Sequence, residues 1–426
     1  VEHKFKKPAT KRPVELMAPA GGFDSMMAAI QGGADSIYFG VEQLNMRARA
    51  SMNFTLDDLE EVARICNENG VRSYLTLNTI IYEHDLSIMR RVVDRVKESG
   101  ITAIIASDQA VIAYAFRIGV EVHISTQVNI TNAETVRFYS TFADVMVLSR
   151  ELSMVQMKTI CDTIKNENIT GPSGELVEVE VFAHGALCMA VSGKCYLSLH
   201  TQNSSANRGA CVQNCRRKYK VIDIEDGHEL EIDNEYIMSP EDLCTIDFLD
   251  QLLDTGVKVL KIEGRGKGPE YVKTVAQCYR EAIDSYFEGT YTKEKGEQWK
   301  ERMTEVYNRG FWGGYYLGQE MGKWTDQHGS KAKTRKVFLG NGRRYFKNIQ
   351  VAEFQLETQK VKVGDKLLIT GPTTGVVETV VEELHVNDEG KKEMAVKGDT
   401  FSIKLDTQIR PSDKLYKLVD AETVEA

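Results

Sequence analysis

The chain has 426 residues, with 53 Lys and Arg against 62 Asp and Glu, a net charge of −9. That length exceeds one ordinary domain and fits a large domain followed by a small one. The acidic total excludes a protein that coats nucleic acid over its whole surface, and no run of eighteen apolar residues exists to form a transmembrane helix. The polar start, Val1-Glu-His-Lys-Phe-Lys-Lys, lacks an apolar signal region, so a cytoplasmic location is expected.

Residues 1–13 are basic and contain proline, which predicts a flexible arm. A regular alternation follows. Glu15–Ala20 reads as an apolar strand ended by Gly21-Gly22, and Phe23–Gln31 has helical spacing. Strands are predicted again at Ser36–Gly40, Arg72–Asn78, Ala103–Ser107, Val120–Ser125, Val145–Ser149, Val177–Ala183 and Val259–Glu263. Between them lie helical patterns near 56–69, 86–99, 109–117, 133–142, 154–166 and 243–255, and another follows at 271–288. Short apolar strands separated by amphipathic helices imply parallel pairing, because each crossover carries a helix. Eight such units predict an α/β fold, a (β/α)8 TIM-like barrel over residues 14–330; a doubly wound sheet is the alternative.

After a helical segment at 293–307, the aromatic–glycine run Gly310-Phe-Trp-Gly-Gly-Tyr-Tyr-Leu-Gly318 is expected to close the barrel or pack on its base. From about residue 334 short alternating strands take over, with turns at Gly340-Asn-Gly and Gly371-Pro. They predict a small all-β C-terminal barrel over 334–426.

Barrel chemistry sits at the C-terminal ends of the strands. Those ends carry Asn78, Gln127, Arg150, His184, Glu263 and Arg265. The end of the seventh strand leads into an unusual insertion, residues 184–220. Four of the eight cysteines fall here, spaced Cys188-x6-Cys195-x15-Cys211-x3-Cys215, and from Lys194 to Lys220 there are six Lys or Arg and no acid. Lys331–Lys347 forms a second purely basic stretch.

Four thiolates suit a 4Fe–4S cluster, whose ligand spacing varies widely. Structural zinc is the alternative, although its usual ligand pairs are closer; unligated thiols are the third reading. The spacing Cys-x3-Cys-x2-Cys of radical enzymes is absent. So are His-Glu-x-x-His and Gly-x-Ser-x-Gly, so no protease constellation is visible.

Glu180-Val-Phe-Ala-His-Gly-Ala-Leu-Cys188-Met-Ala-Val-Ser-Gly193-Lys-Cys195-Tyr-Leu-Ser198 resembles the signature of the collagenase-like peptidase family. Glu15-Leu-Met-Ala-Pro-Ala-Gly21, Gly33-Ala-Asp-Ser-Ile-Tyr-Phe-Gly40 and Leu260-Lys-Ile-Glu-Gly-Arg265 agree, so the resemblance spans nearly the whole chain. Gly209-Ala-Cys-Val-Gln-Asn-Cys-Arg-Arg-Lys-Tyr219 is most similar to the branch that hydroxylates tRNA wobble uridine to 5-hydroxyuridine. Sister branches act on a ribosomal RNA cytidine or on quinone precursors. The resemblance implies a 4Fe–4S cluster on Cys188, Cys195, Cys211 and Cys215, with Cys244 left out. It also implies prephenate as co-substrate and tRNA as partner. The two carboxylates of prephenate suit Arg47, Arg49, Arg150, Lys261 and Arg265. Asn78, Gln127 and Glu263 are further substrate-binding candidates. His184, Lys261 and Arg265 are the catalytic candidates, His184 as a proton carrier.

Overall fold

The computed structural model describes residues 12–48, 53–219, 225, 238–318, 322–387 and 389–422. Seven strands alternate with helices through the first half of the chain: β1 (Glu15–Pro19), β2 (Ser36–Phe39), β3 (Arg72–Leu77), β4 (Ala103–Ala106), β5 (Glu121–Ile124), β6 (Val145–Val147) and β7 (Glu178–Gly185). Three more follow: β8 (Asp242–Cys244), β9 (Val259–Ile262) and β10 (Phe311–Trp312). Strands β1 to β7 pair in sequence and in parallel; β9 then pairs in parallel with both β7 and β1. This closes an eight-stranded parallel barrel, as the alternation predicts.

Alternation along each strand divides the barrel into an inner and an outer core. Met17, Tyr38, Tyr74, Ala103, Ile105, Val145 and Val259 pack together inside. Their neighbours Leu16, Ile37, Leu75, Ile104, Met146 and Leu260 belong to the core shared with the helices. The helix Leu86–Ser99 shows why these helices form. Met89, Val92, Val93 and Val96 share one buried face, and Gly100 ends it in the left-handed conformation. The helix Met154–Asn166 starts from a capping box between Ser153 and Gln156.

Three sequence expectations change. The helix predicted from Leu243 begins instead as β8 and a 3-10 turn, Ile246–Phe248; only Leu249–Asp254 is α-helical. The cause is β7, whose eight residues offer an edge at which His184 and Gly185 pair antiparallel with Cys244 and Leu243. The aromatic–glycine run lies at the mouth of the barrel, not at its base. β10 pairs with β8, and the Tyr316 hydroxyl donates to the Phe182 carbonyl at 2.8 Å. Of the predicted arm, residues 1–11 lie outside the described residues, while Arg12 is held to Asp35 at 3.0 Å.

The C-terminal region is all β, with a seven-stranded antiparallel sheet and a two-stranded one. Its own core contains Leu339, Phe354, Leu367, Phe401 and Leu415. The Gln31 side chain fastens it to the barrel, donating to the Thr374 carbonyl and accepting from the Val376 amide, each at 2.9 Å.

Candidate functional site

A cavity of about 200 Å³ opens at the C-terminal ends of the barrel strands. Inward-facing strand residues form its floor: Tyr38 from β2, Thr76 from β3, Ile105 from β4, Phe182 from β7 and Lys261 from β9. The insertion after β7 forms its roof, and all four predicted cysteine ligands line it. Asn78, Gln127, Arg150, Glu263, Arg265 and Arg47 line it as well. Arg49 lies outside the described residues.

Charge at this mouth is unbalanced. Among the described residues, six cations line the cavity, Arg47, Arg150, Arg216, Lys261, Arg265 and Arg309, against the single carboxylate of Glu263. Glu263 organises two of them. Its carboxylate accepts from Arg47 and from the Tyr38 hydroxyl, each at 2.9 Å. Burial pushes this carboxyl up, but the charges of Arg47 and Arg265 and these hydrogen bonds outweigh it and hold it at about 2. Arg265 donates to Thr76 Oγ1 at 3.0 Å and Asn45 Oδ1 at 2.9 Å, and burial lowers it to about 10. Lys261 sits inside the barrel, 2.9 Å from Glu180 and 4.5 Å from the centre of the Tyr38 ring. Arg150 donates to the Ser192 hydroxyl at 2.9 Å and lies 5.7 Å from the Phe182 ring centre. Among the described residues, Arg150 has no carboxylate partner.

Glycines set the approach of the cysteine loop to the barrel. Gly193 has φ +70°, and a Cβ there would meet Gln127 Oε1 at 2.7 Å. Gly209 has φ +82°, and its Cβ would meet the Asn45 carbonyl at 2.3 Å. Only glycine permits both the backbone and the contact. Arg216 ties the two ends of the loop. It donates to the Leu187 carbonyl on one side, and to Ser239 Oγ at 3.0 Å and the Pro240 carbonyl at 3.1 Å on the other. Burial raises the Cys215 thiol; the Arg216 charge opposes this, while Cys188, Cys211 and Cys195 add to it. The other three thiols therefore lie within electrostatic reach of Cys215.

Among the described residues, no three His, Cys, Asp or Glu side chains converge as a single-ion site. A four-iron cluster takes one thiolate at each iron, so its ligands need not meet at a point. The four thiols lining one cavity, with Arg216 beside them, fit such a group in number and in charge. The remaining cysteines stand apart: Cys66, Cys244 and Cys278 are buried, and Cys161 is partly so. None of them lines the cavity.

His184 departs from its expected place. Between Phe182 and His184 the pairing with β9 slips, so that His184 stands opposite Ile262, which faces outward. This bulge turns the ring away from the cavity. It lies 5.6 Å from Tyr279, 5.7 Å from Phe311 and 6.0 Å from Tyr271, between ring centres. Burial lowers it to about 3, so it is neutral near pH 7. Simple alternation from Glu180 and Phe182 would have pointed it inward, and nothing in the sequence marks the bulge.

The second basic stretch is less exposed in charge than its sequence suggests. Lys331 pairs with Asp326 at 2.8 Å, Lys336 with Glu270 at 2.8 Å, and Lys333 with Glu301. Sequence reasoning also passed over Tyr38, Asn45, Thr76 and Ser192, which hold the mouth's charges in place. Tyr38 was legible, since it lies in the strand motif Ser36–Gly40; Asn45 lies in a loop with no pattern.

The sequence pattern of peptidase family U32 matches residues 21–326. The chain is 57% identical over 403 residues to a Porphyromonas gingivalis protein named collagenase, covering 95% of this chain and 97% of that one. It is 30% identical over 426 residues to tRNA hydroxylation protein P1 of Bacillus subtilis, covering 97% and 96%. It is 33% identical over 276 residues to the 23S rRNA 5-hydroxycytidine C2501 synthase of Escherichia coli, covering 65% and 40%.

Proposed function

Because the chain belongs to peptidase family U32, we propose that it is an RNA-modifying enzyme, a prephenate-dependent iron–sulfur hydroxylase that forms 5-hydroxyuridine at the wobble position of tRNA. The observation that carries this reading is one cavity lined by four cysteines and six cations, with one carboxylate. Such a cavity suits anions, and both a dicarboxylate and a nucleotide are anions. The name of the Bacillus subtilis relative supports RNA as substrate.

Cys188, Cys195, Cys211 and Cys215 would hold the cluster, which supplies one-electron chemistry when bound. This chain's other residues bind and orient. Arg150 has the freest guanidinium for a substrate anion, since Glu263 already engages Arg47 and Glu180 engages Lys261. Asn78 and Gln127, at the ends of β3 and β5, offer amides to a uracil edge that has left its stack. Arg265, fixed by Thr76 and Asn45, positions the Glu263–Arg47 pair.

Peptide hydrolysis is the second reading, favoured by the name of the 57%-identical relative. It requires a nucleophile with a general base, or a metal-bound water. Among the described residues, no histidine lines the cavity, and its one carboxylate is held ionised by the charges of two arginines.

The test uses a bacterial strain lacking tRNA wobble hydroxylation. Expression of the wild-type chain restores 5-hydroxyuridine, read by mass spectrometry of tRNA nucleosides, and Cys188→Ser or Cys211→Ser abolishes it. Anaerobically purified wild-type protein contains about four iron and four sulfide per chain. Unrestored hydroxyuridine overturns the proposal.

A further inference from the structure

A second cavity, about 160 Å³ in volume, lies beside the first. Arg150, Leu187, Cys188, Val191 and Ser192 line both, so the two share one wall. The far side of the second is aromatic. Trp312 and Tyr315 meet edge to face at 5.1 Å between ring centres, and Trp324 faces them across Gly322. Trp312 is buried, Trp324 is half-buried and Tyr315 is exposed. Among the described residues, Glu151 is the only carboxylate lining this cavity.

We propose that this second cavity holds the nucleobase adjacent to the one being modified, with Arg150 on the phosphate that joins them. The inference rests on the RNA reading above and names the substrate as at least a dinucleotide unit. Two observations carry it. Aromatic side chains are sequence-tolerant platforms for an unstacked base. The guanidinium in the shared wall has no carboxylate partner among the described residues, and it stands where a linker between the two occupants must pass. In a dinucleotide that linker is an anion, matched to arginine. In a peptide it is a neutral amide, which offers the arginine a hydrogen bond but no opposite charge.

The chain has three tryptophans, and two of them line this cavity, so intrinsic fluorescence reports its filling. The probes are the dinucleotide UpU and uridine 5′-monophosphate, added to the anaerobic holoprotein. UpU should quench the emission and bind about tenfold tighter than the monophosphate, as stacking of one further base predicts. A Cβ at Gly322 would lie 3.7 Å from Trp324 and 3.8 Å from Trp312, so Gly322→Leu fills the space between the indoles. That variant should lose the tenfold advantage and keep its affinity for the monophosphate. Trp324→Ala, which removes one wall instead of filling the gap, should lose the advantage in the same way. Equal affinities for the two probes in the wild type, or an undiminished advantage in both variants, overturns the proposal. Quenching by a tyrosine-containing tripeptide with none by UpU overturns it as well. The RNA reading is scored separately. If cells expressing the wild-type chain form 5-hydroxyuridine while both variants still prefer UpU tenfold, only the second subsite falls; if they form none, the reading itself falls.

Discussion

Replacing Glu263 by Gln keeps the side chain's size and one acceptor oxygen, but it turns the other acceptor into an amide donor and removes the charge beside Arg47 and Arg265. The carboxyl is lowered from 4.5 to about 2. At about 1.36 kcal/mol per pH unit, that depression corresponds to roughly 3 kcal/mol of native-state stabilisation. The Glu263 side chain is 20% exposed and that of Arg47 28%, so solvent screening reduces the figure to about 2–3 kcal/mol. A group whose folded pKa is depressed stabilises fully above its unfolded pKa, and the benefit is lost as pH falls through the folded value. The window here runs from about pH 4.5 down to about pH 2. Urea unfolding followed by tryptophan emission is the assay. Trp299, Trp312 and Trp324 all lie outside the C-terminal β region, so the signal follows the barrel alone. The variant should be about 2–3 kcal/mol less stable at pH 7, and the gap should narrow to about 1 kcal/mol or less at pH 3. A gap of the same size at both pH values would refute the electrostatic account.

Lys261→Met leaves Glu180 buried without its cation, which should cost about 3–5 kcal/mol in the same unfolding assay, and the further change Glu180→Gln should recover most of the loss. Gly185→Ala places a Cβ 2.4 Å from the Glu263 carbonyl at φ +106°, so the barrel should lose about 2–3 kcal/mol by urea midpoint. His184→Phe should retain tRNA hydroxylation, measured by nucleoside mass spectrometry, because the ring does not line the cavity. The same variant tests linkage. Burial lowers His184 from 6.5 to about 3, so its contribution to wild-type stability falls as pH drops from about 6.5 toward 3, and phenylalanine should remove that slope.

The barrel was legible because its signal is repeated. Each strand buried on both faces reads as a short apolar run, the helix Leu86–Ser99 ends at its glycine cap, and Met154–Asn166 starts at its capping box. The cysteines and the strand-end cations were legible as residue types at a known end of the fold. What escaped depends on contacts across the chain. β8 forms only because β7 overruns the barrel, so Leu243 and Cys244 take strand geometry in a helical pattern. The bulge after Phe182 reverses one side chain without any local mark. The acids that neutralise Lys333 and Lys336 are Glu301 and Glu270, 32 and 66 residues away in the chain, so the charge run gives no hint of them.

The pairing of His184 and Gly185 with Cys244 and Leu243 brings the two ends of the cysteine insertion together. An excursion whose feet are joined is a closed circuit, and the distance it must span is fixed at one inter-strand spacing whatever its contour. Lengthening such a circuit alters its closure entropy only logarithmically, by about 0.6 kcal/mol per doubling. Stretches between the feet that carry neither a cysteine of the cavity nor a glycine packed on the barrel can therefore change length with little mechanical load reaching β7 or β9, while Gly193 and Gly209 hold the roof at its fixed points of contact.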